Sequence, residues 1–490
     1  MSRKVLKRGF LSIGGGILSS RILGYLRDVL IAWWVPTRMR DIFFLTFLIP
    51  NLSRRILGEG ALATSFYSLY PRIREKEGEK EAKRFSSTLF LYLVISLCIF
   101  TVLGFIFAPL IIRIFAPGFS PGEKEIAISL LRLIISYALL ICISVYFSSY
   151  LNIYHTYIST SLSFVLFNLS LILFLFYRSK FSSPLTALGW GILAGGFLQI
   201  VIHLPFLKKK GFLWKPSLFH PRIRDLLPYF LPALLSAGIY YINIAVDRIL
   251  ASFLPAGSIS ALYYSNRLIQ LPLGITGISL SMVSFPLLSR ESARENWEGF
   301  SSSLTLSLRW LLLINLPVMV YYIALGKPLI SILFERGEFT SRAVGDTYFA
   351  LIFYSLGLYF FTANRLLQNS LYSLDKPWLT LKLGSIALLV NVSLSIILMF
   401  PLKQGGLALA TSISSFSLFL LQWRAIRVRG KKKIFEGNIF RYLFTFILLS
   451  LLAFSISFLL RDWWNWSRLV VTVLLSGGIY LLLLRRWRLI

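Results

Sequence analysis

The sequence predicts an all-α integral membrane protein of about fourteen transmembrane helices. It would form two parallel six-helix lobes, related by a pseudo-two-fold axis along the membrane normal, plus two C-terminal helices. Three observations predict this. Apolar stretches recur at bilayer-spanning length, basic residues are distributed unevenly between alternate connections, and the chain matches itself at an offset of about 219 residues.

The first observation begins with composition. Of 490 residues 56% are hydrophobic and only 14% charged, whereas soluble domains carry about a quarter charged, and the mean hydropathy is +0.73. Stretches such as Leu89 to Ile112 and Tyr442 to Leu460 reach the roughly 20 residues that a bilayer requires and are flanked by Lys and Arg. Apolar runs read against breakers and charges give spans at 9–34, 41–71, 86–112, 126–151, 157–177, 185–207, 226–254, 258–288, 300–325, 343–373, 379–400, 405–423, 440–460 and 467–484. The N-terminal basic cluster with its apolar run resembles a signal peptide, but no A-x-A site follows and Arg21 interrupts the run. It reads as a retained first span.

The net charge of +31 raises a nucleic-acid reading, which needs a basic patch on a folded surface. Here the basic residues sit mostly in short connections, where membrane topology accounts for them. With the N-terminus inside, the inner connections hold 30 of the 51 Lys and Arg residues and the outer ones 12. The expectation is therefore an even number of spans with both termini cytoplasmic. Cys98 and Cys142 lie in apolar spans, and His155, His203 and His220 are scattered, so neither a metal motif nor a disulfide framework is expected.

The repeat aligns Asp28–Ala32 with Asp247–Ala251 and Pro36 with Pro255 at an offset of 219, and Leu110–Phe115 with Leu329–Phe334 at the same offset. Asn168 matches Asn391, and Gln199 matches Gln422, at 223. Six spans per repeat return the chain to its starting side, so the halves run parallel, and parallel-repeat transporters hold substrate between their halves. The expected domains are 1–217 and 218–426 as the two lobes, and 427–490 as a basic linker with the appended helix pair.

With Lys382, Arg441 and Arg468 at the span ends counted among the connections, nine basic residues remain inside the spans, all arginine: Arg21, Arg27, Arg54, Arg55, Arg132, Arg248, Arg267, Arg309 and Arg365. Arg132 and Arg309 lie near span ends and can snorkel. The first span carries Arg21, Arg27 and Asp28. These cost about 8 to 10 kcal/mol at mid-membrane against the roughly 3 to 7 kcal/mol returned by its eleven Leu, Ile, Val and Phe residues. Its polar side must therefore line protein or water. In the second span Arg55 and Glu59 have i,i+4 spacing and are expected to pair, leaving Arg54 the less satisfied cation beside Asn51 and Gly58–Gly60. The eighth span adds Asn266, Arg267 and Gln270, and Pro50, Pro228, Pro232 and Pro272 are expected kinks. Against these arginines stand Asp28, Asp41, Glu59 and Asp247. The positive surplus suggests an anion site, since the arginine fork grips phosphate in two-pronged fashion; the alternative is a set of ion pairs holding the bundle. Asp247 with Asn243 forms an i,i+4 oxygen pair suited to Na⁺ or a proton, or Asp247 simply pairs with Arg248 or a neighbour.

Ser20–Asp28, Asp41–Phe44, Ile49–Arg55 and Glu59–Ala61, with Tyr263–Leu268 and the Ala116–Phe119 turn, resemble the MurJ (MviN) family of lipid II flippases. That family lies in the multidrug/oligosaccharidyl-lipid/polysaccharide exporter superfamily. The resemblance covers the whole chain and is most specific in the first sixty residues. It implies a bacterial cytoplasmic (inner) membrane transporter, not an enzyme, that moves the undecaprenyl-diphosphate-linked disaccharide peptide, lipid II, to the outer face. It places the family's cavity arginines on Arg21, Arg27, Arg54 and Arg267 and its cavity acids on Asp28, Asp41 and Glu59. Joined to the residues read above, the expected substrate contacts are Arg21, Arg27, Asp28, Arg54, Glu59 and Arg267, with Asp41, Asn51, Arg55, Asn266 and Gln270 in support. It implies no cofactor, with Na⁺ at Asp247 and Asn243 or the membrane potential as the coupling force, and a monomer in the phospholipid membrane with no nucleic-acid partner. Two departures stand out: Asn266 where some members have Asp, and Leu48 where some have Lys. The region around Asp375–Pro377 is also shortened, which leaves the remaining sodium ligands unplaced. The competing readings are a flippase for another polyprenyl-linked oligosaccharide and a cation-coupled multidrug exporter, which would favour an acid-rich cavity. A membrane glycosyltransferase would need a long extramembrane loop bearing catalytic acids.

Overall fold

A backbone in lipid must satisfy its own hydrogen bonds, and a sequence of long apolar runs does so by forming helices. The computed structural model describes residues 3–212, 217–427 and 439–486, with side chains omitted at 3–18, 236, 237, 239, 240, 427, 439–443 and 486. Most of the expected basic linker, Arg427 to Lys433, lies outside the described residues.

In chain order the helices are α1 (Arg3–Trp34), α2 (Thr37–Ser53), α3 (Ala63–Glu77), α4 (Glu79–Ile106), α5 (Ala108–Phe115), α6 (Pro121–Ile134), α7 (Tyr137–Ile153), α8 (Ile158–Phe176), α9 (Pro184–Val201), α10 (Leu204–Lys209) and α11 (Leu227–Ala251). They continue as α12 (Ser258–Pro272), α13 (Ser279–Ala293), α14 (Trp297–Phe334), α15 (Ser341–Leu356), α16 (Leu358–Ser373), α17 (Pro377–Arg427), α18 (Ile439–Leu459) and α19 (Asn465–Arg486). No strand occurs among the described residues. By length and composition alone, eight helices among the described residues could cross a membrane, and α15 with α16, bent by 44°, could form a ninth. Each of the fourteen expected spans falls on one helix or on consecutive helical segments. Two of them share α17, which is broken at Lys403 (φ 47°, ψ −130°).

Residues group into two units, Met1–Phe253 and Leu254–Ile490. In the first, an aromatic core of Phe66, Tyr70, Phe85, Tyr146, Phe147 and Tyr150 joins α3, α4 and α7. Small residues let α8 and α9 approach closely: a Cβ on Gly195 would lie 3.3 Å from the Phe167 backbone. The Ala116–Phe119 turn packs on the end of α11, where Gly118 N–H donates to Ser252 Oγ at 3.1 Å. In the second unit, Leu304, Leu308, Leu311, Leu366, Leu367 and Leu371 form one core joining α14 and α16. A second core joins α14 to the C-terminal pair through Leu313, Val320, Leu449 and Tyr480.

Two π-helical stretches interrupt these helices, Arg54–Leu62 between α2 and α3 and Leu273–Ile278 between α12 and α13. Their first residues, Arg54 and Leu273, are separated by the same 219 residues as the sequence repeat. Each begins shortly after a helical proline, Pro50 and Pro272, and each places a glycine, Gly58 or Gly277, against a neighbouring helix. Pro228 does not act as an expected kink, because it occupies the first turn of α11, where no intrahelical N–H bond is lost.

Candidate functional site

The polar side of α1 meets α8. Arg27 donates from Nε (3.0 Å) and Nη2 (2.6 Å) to Asp28 Oδ1, and from Nη1 to Asn168 Oδ1 at 3.0 Å. Asp28 is fully buried and Arg27 is 12% exposed. Asn168 is itself fixed by donating to the Phe164 carbonyl at 2.8 Å. In the sequence Asn168 stands out only as a repeat marker. Its signal was a lone amide inside the apolar run of α8, where an unpartnered polar group would be costly.

The second arginine group is built alike. Arg54 donates from Nε to Asn51 Oδ1 at 3.1 Å and from Nη1 to Glu59 Oε1 at 2.5 Å. This corrects the expected Arg55–Glu59 pair. An α-helix stacks residues four apart, but a π-helix closes i→i+5 contacts, so Arg54 rather than Arg55 comes over Glu59. Arg55 instead lies over the Tyr241 ring of α11, 5.3 Å from its centroid. The side-chain exposures of Arg54 and Glu59 are 15% and 41%. Arg54 Nη2 makes no hydrogen bond among the described residues.

Both groups converge on α7. Tyr137 is buried and close enough to Arg27 and Arg54 to feel the charge of each. Phe47 of α2 and Phe167 of α8 stack at 6.3 Å, and both pack on Tyr137 at 5.9 and 5.2 Å. Phe47 lies two turns before Arg54 and Phe167 adjoins Asn168, so this aromatic trio fixes α2, which leads into Arg54, and α8, which supplies the Asn168 partner of Arg27, about one helix.

Arg21 is exposed and makes no hydrogen bond or ion pair among the described residues. Asp41 is buried. Arg40, expected in an outer connection, is fully buried inside the first turn of α2. It donates to the Ala32 carbonyl at 2.7 Å and to Thr37 Oγ1 at 2.8 Å. It thus satisfies a carbonyl in the last turn of α1, where no intrahelical donor remains. Arg132 lies over the Phe105 ring at 5.4 Å. Asn243 and Asp247 share α11, with Asp247 buried, and no cluster of three or more His, Cys, Asp or Glu forms among the described residues.

In the second unit Arg267 is half-buried on α12, and Gln270 Nε2 reaches Asn266 Oδ1 at 3.5 Å. A fifth acid lies inside the tenth expected span: Asp346, which accepts from Gln404 Nε2 at 3.1 Å. The π stretch of this unit carries no charge. Thr276 donates to Asn315 Oδ1 at 3.3 Å, and Asn315 Nδ2 donates to Thr362 Oγ1 at 3.2 Å.

The family model described as lipid II flippase MurJ matches residues 36–476. A probable lipid II flippase MurJ from Buchnera aphidicola subsp. Schizaphis graminum is 33% identical over 97% of this chain and 96% of its own length. Among solved structures, lipid II flippase MurJ in an inward closed conformation superposes with a TM-score of 0.82 at 26% identity, covering 97% of this chain and 98% of that one. An inward-facing multidrug resistance MATE transporter of the MOP superfamily shares the fold at a TM-score of 0.74 and 14% identity, over 84% of this chain and 96% of its own.

Proposed function

The chain belongs to the MurJ family of lipid II flippases, and we propose that Arg27 and Arg54 receive the diphosphate of lipid II as it passes from the cytoplasmic to the outer leaflet by alternating access. The protein is a multi-pass membrane transporter, not an enzyme. One observation carries the assignment of the site: two arginines on different helices are each held by one carboxylate and one asparagine carbonyl, and the elements that supply those groups pack on the same buried tyrosine through Phe47 and Phe167.

The physical argument is one of preorganisation. An unpaired arginine inside a membrane protein costs several kcal/mol. A neighbouring carboxylate reduces that cost while the site is empty, and an asparagine carbonyl fixes the plane of the fork. A diphosphate brings more negative charge than either carboxylate and accepts paired N–H bonds. Arg54 Nη2 already lacks a partner among the described residues, and Glu59 is the more exposed of the two acids, so the Arg54 group is the easier to open. Arg21, exposed on the same helix as Arg27, supplies a further cation. In the second unit Arg267 is proposed as a phosphate contact supported by Asn266 and Gln270, and Arg55 and Asp41 keep supporting roles in the first.

The proposed setting is the bacterial cytoplasmic membrane with both termini cytoplasmic and the protein acting as a monomer. Coupling is assigned to Na⁺ at Asp247 and Asn243 or to the membrane potential; Asp247→Asn with Na⁺ and potential varied independently tests it, and unchanged transport removes the ion role.

The test of the substrate reading is depletion in a bacterium whose flippase is replaced by this chain. Lipid II should accumulate on the inner leaflet when the chain is depleted, and expression of Arg54→Glu should fail to relieve it while the variant remains in the membrane. Accumulation of a different polyprenyl-linked glycan would redirect the assignment.

A further inference from the structure

α3, which continues from the π stretch of Arg54, and α8, which supplies Asn168 to Arg27, also meet through α7 about two turns away, by side chains the arginine site does not use. Asn152, at the end of α7, donates from Nδ2 to Tyr67 Oη of α3 at 3.2 Å. Its Oδ1 accepts from Thr160 Oγ1 of α8, also at 3.2 Å. Tyr67 follows Glu59 by eight residues and Thr160 precedes Asn168 by eight. On both helices the displacement is about 12 Å along the axis. The two offsets run toward the same place in the unit, because Asn152 bonds both Tyr67 and Thr160 there.

This cluster is built unlike a core contact. Tyr67 is 42% exposed, and Asn152 and Thr160 are half-buried. Among the described residues Tyr67 Oη accepts from Asn152 and makes no other hydrogen bond, which leaves its own O–H proton to donate outward. Thr160 donates to Asn152 and keeps both lone pairs, and Asn152 retains one N–H. An exposed aromatic face beside alternating donors and acceptors is the complement of a pyranose, which presents C–H faces and ring hydroxyls that both give and accept hydrogen bonds.

Resting on the diphosphate assignment above, we infer that Tyr67, Asn152 and Thr160 form a saccharide subsite that receives the sugar attached to the diphosphate. The spacing suits it. A sugar bonded to a phosphate held at Arg27 and Arg54 has to extend away from the arginines, and about 12 Å is the reach of a short glycan. Arg74, two turns further along α3, lies over the Tyr154 ring at 5.1 Å.

The experiment compares two ligands on the purified full chain: lipid II, and undecaprenyl diphosphate, which has the same lipid and phosphates without sugar. Tyr67→Phe and Thr160→Val each remove polar atoms with little change of shape. The pair together should weaken lipid II binding about tenfold, the effect of losing one or two net hydrogen bonds, and leave undecaprenyl diphosphate binding unchanged. Equal weakening of both ligands would show a structural role and overturn the subsite, as would unchanged binding of both. Tyr67→Phe alone keeps the test open should the double variant misfold. Arg54→Glu serves as the separate control. If it weakens neither ligand, the diphosphate assignment falls, an outcome distinct from any loss confined to the sugar-bearing lipid.

Discussion

The two π-helical stretches occupy matching places in the repeat and hold opposite chemistry. Arg54–Leu62 begins with the arginine that bonds Asn51 and Glu59. Leu273–Ile278 begins with a leucine and places Thr276 in a neutral, buried chain with Asn315 and Thr362. The backbone device is common to both. A π turn widens the helix, leaves main-chain bonds less regular and shifts side-chain alignment from four residues to five. In the first unit that shift brings Arg54 over Glu59; in the second the corresponding positions are Leu273 and Ile278, and no pairing follows. The difference teaches that the irregular helix is a property of the repeat, whereas the arginine and its carboxylate stand on one copy of it.

The sharpest way to break this comparison is to reverse the charge in one copy and add polarity to the other. Arg54→Glu sets two carboxylates against each other and removes the fork. Transport should fall by on the order of a hundredfold or more, since each charge-assisted bond to phosphate contributes about 1.5 to 3 kcal/mol. Leu273→Gln at the matching position should change transport by no more than about threefold. The readout is the rate at which labelled lipid II reaches the outer leaflet, normalised to protein in the membrane. Comparable losses from both would mean that the second π stretch takes part in binding.

The next effect is on stability. Removing Arg27 deletes its two charge-assisted bonds to the fully buried Asp28, so Arg27→Ala should cost about 3 to 5 kcal/mol. Replacing both partners with leucine should recover most of this while transport stays lost. Asn315→Leu in the second unit breaks only neutral bonds and should cost about 1 to 3 kcal/mol, with lipid II affinity unchanged. Thermal unfolding in detergent with parallel binding measurements separates the two, and a double-leucine variant that still transports would remove Arg27 from the site.

These contrasts show what could be read from the sequence. The helical class, the repeat and the polar side of α1 follow from periodicity, offset and insertion cost, all properties of the linear chain. Arg27, Asp28, Arg54, Asn51 and Glu59 were also visible, because a charge inside an apolar run stands out. What was not legible was who bonds whom. The i,i+4 rule pointed to Arg55 and Glu59, and a local change of helix type transferred the pair to Arg54. Arg40 looked like a loop residue because it lies just past the break at Val35–Pro36. Its burial depends on the end of α1 packing over it, a tertiary fact. Asp346 lay within an expected span but near its edge, where a charge reads as a loop residue. Asn168 was noticed for its place in the repeat, and only the fold shows that it faces Arg27.

The smallest predicted effect concerns the paired glycines. A Cβ on Gly58 would meet Val145 Cγ1 at 3.5 Å and Cys142 Sγ at 3.6 Å, ordinary contact distances. A Cβ on Gly277 would meet Thr362 at 3.1 Å from Cγ2 and 3.3 Å from Cα. Alanine gains up to about 1 kcal/mol over glycine in a helix, but a methyl group pressed on a backbone atom costs about 1 to 3 kcal/mol. Gly58→Ala should therefore be neutral or stabilising by about 0.5 kcal/mol, and Gly277→Ala destabilising by about 1 kcal/mol. The sign change reflects what each π stretch packs against: an apolar side-chain surface on α7 that accepts a methyl, and the Thr362 backbone of α16, whose hydroxyl is tied to Asn315 and cannot move without breaking that bond. Melting curves of the two variants measure it. Equal shifts of the same sign would mean that the neutral network of the second unit yields as readily as the side chains of the first, and that its rigidity is not part of the difference between them.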